Sequence, residues 1–196
     1  MKFLCGLDEA GRGPLAGPVA AGAVILPPDF PVQYLNDSKK LSAKKRLAAE
    51  ILIKEKACWG IGFVDHEVID RINILQASLY AMQLACEMAL LKFPSWLKEN
   101  HMEEDVAPEI EAVADGTFCP KIAIRCRCQP KADALYPPVM AASIIAKTGR
   151  DRLMIEYDSV YPGYGYARHK GYPTPEHKKI CREKGPSPIQ RLSFRY

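Results

Sequence analysis

The chain alternates between short apolar runs and longer segments in which apolar residues recur every three or four positions. The first pattern is typical of β-strands and the second of amphipathic α-helices. Apolar runs bounded by Gly, Pro, Asn or Asp predict strands at residues 3–8, 19–26, 57–64, 110–114 and 121–128. Helical periodicity predicts helices at residues 43–56, 66–72, 73–92, 139–157 and 175–184. This order of strands and helices indicates an α/β domain with a mixed sheet.

Two of these helices are preceded by residues that favour helix starts. Ser42 and Thr174 can each accept a hydrogen bond from a free N–H in the first helical turn. For the helix at 43–56 we expect an inner apolar stripe of Leu41, Leu47, Ile51 and Leu52. The segment at 73–92 is apolar nearly all round and is expected to be buried, with Phe93-Pro94 ending it.

The composition is that of an ordinary globular domain. Of 196 residues, 48% are hydrophobic and 26% are charged, and no uninterrupted apolar run, counting glycine, is longer than residues 19–26, which are too few to cross a bilayer. No basic segment leads into an apolar one near the N-terminus, so we expect a cytoplasmic protein without a membrane segment. Seven cysteines without a C-x-x-C pair indicate reduced thiols, and the x-separated pair Cys126 and Cys128 near Cys119 is a poor zinc geometry.

The net charge of +4 is mild, but the positive charge is clustered. Residues 147–196 contain eleven Lys or Arg against five Asp or Glu, and residues 36–57 contain seven against three. Clustered cations opposite an acidic centre indicate a phosphate backbone as ligand. Each stretch taken alone is also consistent with a solvated helix face.

Candidate chemistry begins at the end of the first predicted strand, with Asp8 and Glu9. Carboxylates between apolar runs need metal ions or basic side chains as partners, because burying an unpaired charge costs several kcal/mol. Consecutive strand residues point to opposite faces, so we expect the strand to end or bulge at this pair. Asp115 follows another predicted strand and would converge with Asp8 if the two strands are neighbours. Such a cluster suits Mg²⁺ or Mn²⁺.

Other catalytic classes find little support in the sequence. There is no G-x-S-x-G nucleophile motif, and the four histidines are scattered. The glycine-rich stretch GRGPLAG places a proline where a dinucleotide-binding motif would open a helix.

Five sequence blocks, in this order, carry a resemblance that spans almost the whole chain. They are DEAGRGPLAGPV at 8–19, NDSKKLS at 36–42, ADG at 114–116, AASIIAK at 141–147 and HKGYPT at 169–174. Together they resemble bacterial ribonuclease HII. Ribonuclease HIII is the nearest alternative within this group, and a non-catalytic nucleic-acid-binding protein with the same fold is the alternative outside it.

The resemblance implies the ribonuclease H-like fold, with a mixed five-stranded sheet flanked by helices and a small helical C-terminal extension. The activity it implies is cleavage of RNA in RNA–DNA hybrids, and 5′ of single ribonucleotides in duplex DNA, leaving 3′-hydroxyl and 5′-phosphate ends. Two Mn²⁺ or Mg²⁺ ions would be used. Catalytic and metal-binding roles would fall on Asp8, Glu9, Asp115 and Asp133. The match at Asp133 is partial, because lysine and alanine precede it where the family usually has glycine before the acid, and Asp151 is a rival.

The same resemblance implies which residues bind the nucleic acid. Phosphates would be held by Lys39, Lys40, Ser143 and Lys147. Gly11, Arg12 and Gly13 would approach the ribose 2′-hydroxyl through the backbone, and Tyr172 would stack on the neighbouring deoxyribose. His169 is expected either to contact a phosphate or to have a structural role.

We expect one catalytic domain over residues 1–196, in which residues 159–196 form the extension and complete the substrate groove. The expected partners are RNA–DNA hybrids and ribonucleotide-containing duplex DNA, and the expected state is a monomer. Because all four acids are present, the sequence favours an enzyme over a non-catalytic binding protein.

Overall fold

The computed structural model describes residues 1–36, 38, 40–102 and 108–195. Its centre is a five-stranded sheet in the order β3-β2-β1-β4-β5. The strands are β1 Lys2–Ala10, β2 Val19–Ile25, β3 Cys58–Val64, β4 Glu109–Asp115 and β5 Arg125–Gln129. The first three strands pair antiparallel, whereas β1–β4 and β4–β5 pair parallel. The predicted mixed sheet is therefore confirmed.

Helices cover both faces of this sheet. They are α1 Ala43–Lys56, α2 His66–Glu99, α3 Pro137–Val160, α4 Tyr166–His169 and α5 Pro175–Lys184, with 3-10 turns at Val32–Tyr34 and Ala132–Ala134. One face of the sheet packs against α2, and the other packs against α3 and α1.

Small residues let the two main helices lie close to the sheet. Every fourth residue of α2 along its buried side is a fully buried alanine, at positions 77, 81, 85 and 89. A Cβ on Gly62 of β3 would lie 2.3 Å from the Ala81 carbonyl oxygen, and one on Gly22 of β2 would lie 2.3 Å from the Ala142 carbonyl oxygen of α3. Larger side chains at these glycines would push the helices away from the sheet.

The predicted helix starts are confirmed. The Ser42 side chain accepts a hydrogen bond from the Lys45 N–H, and the Thr174 side chain accepts one from the His177 N–H. The change of segment predicted near residue 73 corresponds to a kink at Asn73, where φ is 67°.

The predicted end of the long helix at Phe93-Pro94 is wrong, since α2 continues to Glu99 with Pro94 inside it. Packing beyond the proline explains the difference. The Trp96 ring lies 6.0 Å from the Phe3 ring between centroids, and its Nε1 donates a hydrogen bond to the Lys56 carbonyl. By length and composition α2 could cross a membrane, but its buried side forms the core with the sheet.

The apolar stripe predicted for α1 is also wrong in part. Leu47 and Ile51 are 52% and 59% exposed, whereas Ala49, Glu50 and Ile53 are buried. Glu50 is tolerated inside because Lys54 and Arg152 both form ion pairs with its carboxylate. The face of α1 that packs inward is thus decided by its neighbours.

Candidate active site

The catalytic acids predicted from distant parts of the sequence lie at one edge of the sheet. The parallel pairing of β1 and β4 matches Leu7 with Ala114, so Asp8 and Asp115 are the next residues on the two strands. Strand β4 ends at Asp115, so its pairing with β1 stops there. The Asp115 carboxylate therefore lies beside β1. The convergence of these two acids is therefore confirmed.

The expectation that β1 ends or bulges at Asp8-Glu9 is wrong. The strand continues to Ala10 and stays paired with β2, with Asp8 opposite Gly22 and Glu9 opposite Ala21. The two side chains consequently start from opposite faces of the sheet. It is the end of β4 that leaves this stretch of β1 open on one side.

Asp8 and Glu9 have different surroundings as a result. Asp8 is buried on the α3 side, where it accepts hydrogen bonds from the Glu9 N–H at 2.7 Å and from Ser143. Glu9 lines a groove of about 300 Å³ together with Asp115, Arg12 and Phe118. Asp115 is thus the acid that lines the groove and also lies beside Asp8.

Electrostatic repulsion is concentrated at this edge. Burial raises the pKa of Asp8 well above its usual range, and the charges of Glu9 and Asp115 raise it further. Burial also raises the pKa of Glu9, although Arg12, whose Nη1 lies 3.3 Å from Glu9 Oε1, acts in the opposite direction. A cation at this edge would relieve the repulsion.

Asp133 lies on the 3-10 turn that follows β5, next to the same edge. The preceding residue, Ala132, donates its N–H to Asp115 Oδ1 at 2.7 Å and so fixes the turn to the acid. Its rival Asp151 lies on α3 and accepts a hydrogen bond from Lys147 Nζ at 2.8 Å. Across the residues that the structure describes, no three Asp, Glu, His or Cys side chains form a ready-made metal-binding group. The ligand set therefore stays a prediction.

The residues predicted to contact the sugar lie together although they come from opposite ends of the chain. A Cβ on Gly13 would lie 3.8 Å from Cε1 of Tyr172. The Tyr172 ring is 37% exposed, and Lys147 Nζ lies 5.7 Å from its centroid. Gly11 has a φ of 99°, a conformation that favours glycine.

The predicted phosphate-binding residues are less uniform. Lys40 is exposed, and Lys39 lies outside the described residues. Ser143 is buried, and its Oγ lies 2.8 Å from Ser38 Oγ. Its hydrogen bond to Asp8 lowers the pKa of that acid and so opposes the effect of burial. Its contact with a phosphate stays a prediction, as do those of the three lysines.

His169 fits its structural alternative. Its Nε2 lies 2.8 Å from the Tyr164 carbonyl oxygen, and its Nδ1 accepts a hydrogen bond from the Gly171 N–H. The ring stacks on His177 with centroids 4.3 Å apart, and burial lowers the pKa of both histidines. Both nitrogens of His169 thus hold the loop that carries Tyr172.

Sequence reasoning missed two buried arginines, Arg150 and Arg191, that contact the glycine-rich stretch after β1. In the sequence Arg150 lies among polar residues, and Arg191 lies between Gln190 and Leu192. No local pattern distinguishes them from the exposed Arg195.

Comparison with known proteins assigns the chain to a family. The family model described as Ribonuclease HII matches residues 5–196. Ribonuclease HII of Treponema denticola is 49% identical over 196 residues, which cover 98% of this chain and 98% of that one.

Solved structures share the fold. The chain matches a PCNA:RNase HII complex structure from Archaeoglobus fulgidus with a TM-score of 0.70 and 23% identity, covering 99% of this chain and 96% of that one. It matches Bst-RNase HIII in complex with Mn²⁺ with a TM-score of 0.67 and 18% identity, covering 98% of this chain and 67% of that one.

The fold and the curated relatives define a type 2 ribonuclease H, a hydrolytic endonuclease. Within that class, the chain belongs to the ribonuclease HII family. The predicted resemblance and fold are confirmed, and the alternatives of ribonuclease HIII and of a non-catalytic binding protein are set aside.

Proposed function

We propose that the enzyme cleaves the RNA strand of RNA–DNA hybrids and cleaves 5′ of a single ribonucleotide in duplex DNA. The products would carry 3′-hydroxyl and 5′-phosphate ends. The observation that carries this proposal is the approach of Gly13 to Tyr172 beside the acids of β1 and β4. A backbone without side chains opposite an aromatic ring offers a place to test one sugar for its 2′-hydroxyl, the chemical difference between RNA and DNA at that step.

Mn²⁺ or Mg²⁺ is the proposed cofactor, with two ions in the active complex. The donor set fits these ions, since Asp8, Glu9, Asp115 and Asp133 supply only carboxylate oxygens and the first two repel each other. When bound, such ions supply a water nucleophile at neutral pH and stabilise the leaving oxygen. The complex of Bst-RNase HIII with Mn²⁺ supports the same choice.

The protein's own contribution is to fix the acids and the strand. The Glu9 N–H and Ser143 orient the Asp8 carboxylate, and the Ala132 N–H orients Asp115. These bonds hold the carboxylates before substrate arrives, which lowers the cost of reaching the reactive geometry. Lys40 and Lys147, with Lys39, would hold phosphates without reading base sequence.

We also propose that residues 1–196 act as one catalytic domain and as a cytoplasmic monomer, in which residues 159–196 complete the groove. Contacts of the C-terminal part support this. The Leu15 N–H donates to the Gly171 carbonyl at 2.8 Å, and Asp70 accepts hydrogen bonds from the Leu192 and Ser193 N–H groups.

The test compares parent and Tyr172→Ala on a duplex with one embedded ribonucleotide and on a long RNA–DNA hybrid. Each is assayed with Mg²⁺, with Mn²⁺ and with chelator. Loss of the ring should misplace the scissile phosphate, and displacement by about 1 Å can cost about 10²-fold in rate. Tyr80→Ala, which removes an exposed tyrosine on α2, is the matched control.

The parent should cleave both substrates only with a divalent ion, and Tyr80→Ala should match it. A parent that leaves the single-ribonucleotide duplex intact with either ion would contradict the proposed substrate. A Tyr172→Ala variant that melts normally and cleaves that duplex at the parental rate would exclude Tyr172 from sensing the junction.

A further inference from the structure

Two arginines with almost no exposed surface lie behind the stretch from Gly11 to Pro18. Arg150, on α3, is 1% exposed, and Arg191, near the C-terminus, is 0% exposed. Arg191 donates hydrogen bonds to the carbonyl oxygens of Gly11 at 2.7 Å, Arg12 at 3.1 Å and Gly17 at 2.9 Å. Arg150 donates to those of Pro18 at 2.8 Å, Ala16 at 3.2 Å and Lys170 at 3.0 Å.

Neither guanidinium forms an ion pair in the part of the chain that the structure describes, where every ion pair joins other residues. The charges of Asp151 on Arg150 and of Asp70 on Arg191 act from beyond ion-pair distance. Burying such a charge costs several kcal/mol, which main-chain carbonyls offset only in part. Burial accordingly lowers the pKa of Arg191 to about 9, helped by the nearby charge of Arg150. Apolar side chains could fill this volume at a lower free-energy cost. We therefore look for the role of the arginines in the particular carbonyl groups that they bind.

The carbonyls held by Arg191 fix the direction of two peptide units. The described chain contains no cis peptide bond, and in a trans peptide the C=O and N–H groups point in opposite directions. Because the Gly11 and Arg12 carbonyls point at Arg191, the N–H groups of Arg12 and Gly13 point away from it. Those two donors are therefore turned away from the buried guanidinium.

Arg150 connects the same stretch to the loop that carries Tyr172. Its Nη1 holds the Lys170 carbonyl while its Nε and Nη2 hold Pro18 and Ala16. The guanidinium also lies 5.8 Å from the Tyr172 ring centroid. The two arginines thus hold the glycine-rich stretch, the tyrosine loop and the C-terminal segment in one arrangement.

We propose that Arg191 is a positioning residue for ribonucleotide recognition: it orients the Arg12 and Gly13 N–H groups as donors to the sugar hydroxyl beside Tyr172. Arg150 supports it by fixing the tyrosine loop to the same stretch. This inference rests on the proposed function, since it deepens how that site distinguishes ribose from deoxyribose.

The experiment replaces Arg191 by lysine, which keeps the charge but cannot reach three carbonyls with a planar fork. Arg195→Lys is the matched control, because Arg195 is an exposed arginine of the same segment. Both variants and the parent are melted, assayed on the single-ribonucleotide duplex below their melting transitions, and compared by hydrogen exchange over residues 11–18. Arg191→Ala is assayed with added guanidinium at concentrations that leave the parent folded.

The expected result for Arg191→Lys is a fall in kcat of about 10²-fold with KM changed by less than about threefold, since the donors are misplaced by about 1 Å. Hydrogen exchange over residues 11–18 should accelerate. Arg195→Lys should match the parent. Added guanidinium should restore part of the kcat of Arg191→Ala, and equimolar ammonium should not.

Two outcomes would overturn the inference: parental kcat in Arg191→Lys, whether or not KM rises, or unaltered exchange over residues 11–18. If Arg191→Lys fails to fold, absence of guanidinium rescue in Arg191→Ala overturns it instead. A parent that cannot cleave the ribonucleotide duplex would refute the proposed substrate, while the exchange comparison would still decide whether Arg191 orders the stretch.

Discussion

The two glycines of Gly11-Arg12-Gly13 are required for different reasons, and alanine substitutions should separate them. At Gly11 the obstacle is structural, because its φ is 99° and a Cβ would lie 2.1 Å from Nε of Arg150. At Gly13 the φ is not in the left-handed region, and a Cβ would make only an ordinary contact, at 3.8 Å, with Tyr172. We expect Gly11→Ala to lose stability and Gly13→Ala to lose activity.

The cost at Gly11 has two parts. Forcing an L-residue into this backbone conformation costs about 1–3 kcal/mol. Displacing Arg150 breaks its 2.8 Å bond to the Pro18 carbonyl, and a hydrogen bond to a charged group contributes about 1.5–3 kcal/mol. The sum is about 2.5–6 kcal/mol, which lowers the melting temperature of a chain of this size by roughly 5–24 °C.

The expected effect at Gly13 is the reverse. Replacing glycine by alanine at an allowed conformation changes stability by only about 1 kcal/mol. The added methyl group, however, enters the space between the backbone and Tyr172 where we place the sugar. Displacing the substrate there by about 1 Å should lower kcat by about 10²-fold.

Thermal melting and cleavage of a single-ribonucleotide duplex measure the two effects on the same preparations. Gly163→Ala is the comparison for Gly11→Ala, because Gly163 also has a positive φ, of 87°, but lies in a loop near Lys184. A Gly11→Ala protein that melts with the parent would refute the strain argument. A Gly13→Ala protein with parental kcat would place the sugar elsewhere.

Four further predictions concern the acids and a lysine. Asp8→Asn and Asp115→Asn should each abolish cleavage while hybrid binding measured by gel shift survives, because the amide keeps the shape but removes a charge; near-normal turnover at saturating Mg²⁺ would misplace the metal site. Burial and nearby carboxylates raise the pKa of Asp8, so its charge costs stability above that raised pKa and the cost disappears as the pH falls towards the unfolded value. Metal-free Asp8→Asn should therefore melt above the parent at alkaline pH, with a difference that shrinks as the pH falls towards the unfolded pKa; an unchanged difference would contradict this. Asp133→Asn should lower kcat far more than Asp151→Asn, because the Asp151 carboxylate already pairs with Lys147. The opposite ranking would assign the role of the fourth acid to Asp151. Lys147→Ala should weaken binding to all duplexes alike and reduce the slope of log K against log salt by about one, whereas a loss confined to some base sequences would refute a phosphate contact.

Local sequence was enough to predict most of the elements and the chemical class. Strand and helix positions follow from local periodicity, and the caps at Ser42 and Thr174 follow from side chains that bond to N–H groups three residues away. The five ordered blocks indicated the ribonuclease H-like fold and the family. Such features depend on neighbours in the chain, so they can be predicted without knowing what packs where.

Other features follow from contacts between distant parts of the chain. Helix α2 passes through Pro94 because Trp96 packs on Phe3, and Leu47 of α1 is exposed because other residues of that helix face its neighbours. At the site, β1 stays regular through Glu9, and the end of a different strand opens the edge where the acids meet.

The burial of Arg191 is the clearest case of a feature absent from the local sequence. Its three acceptors lie 174 to 180 positions earlier in the chain. An arginine becomes a buried donor only where the fold supplies enough carbonyls to replace its water, and that set of acceptors exists only after the two ends of the chain have come together.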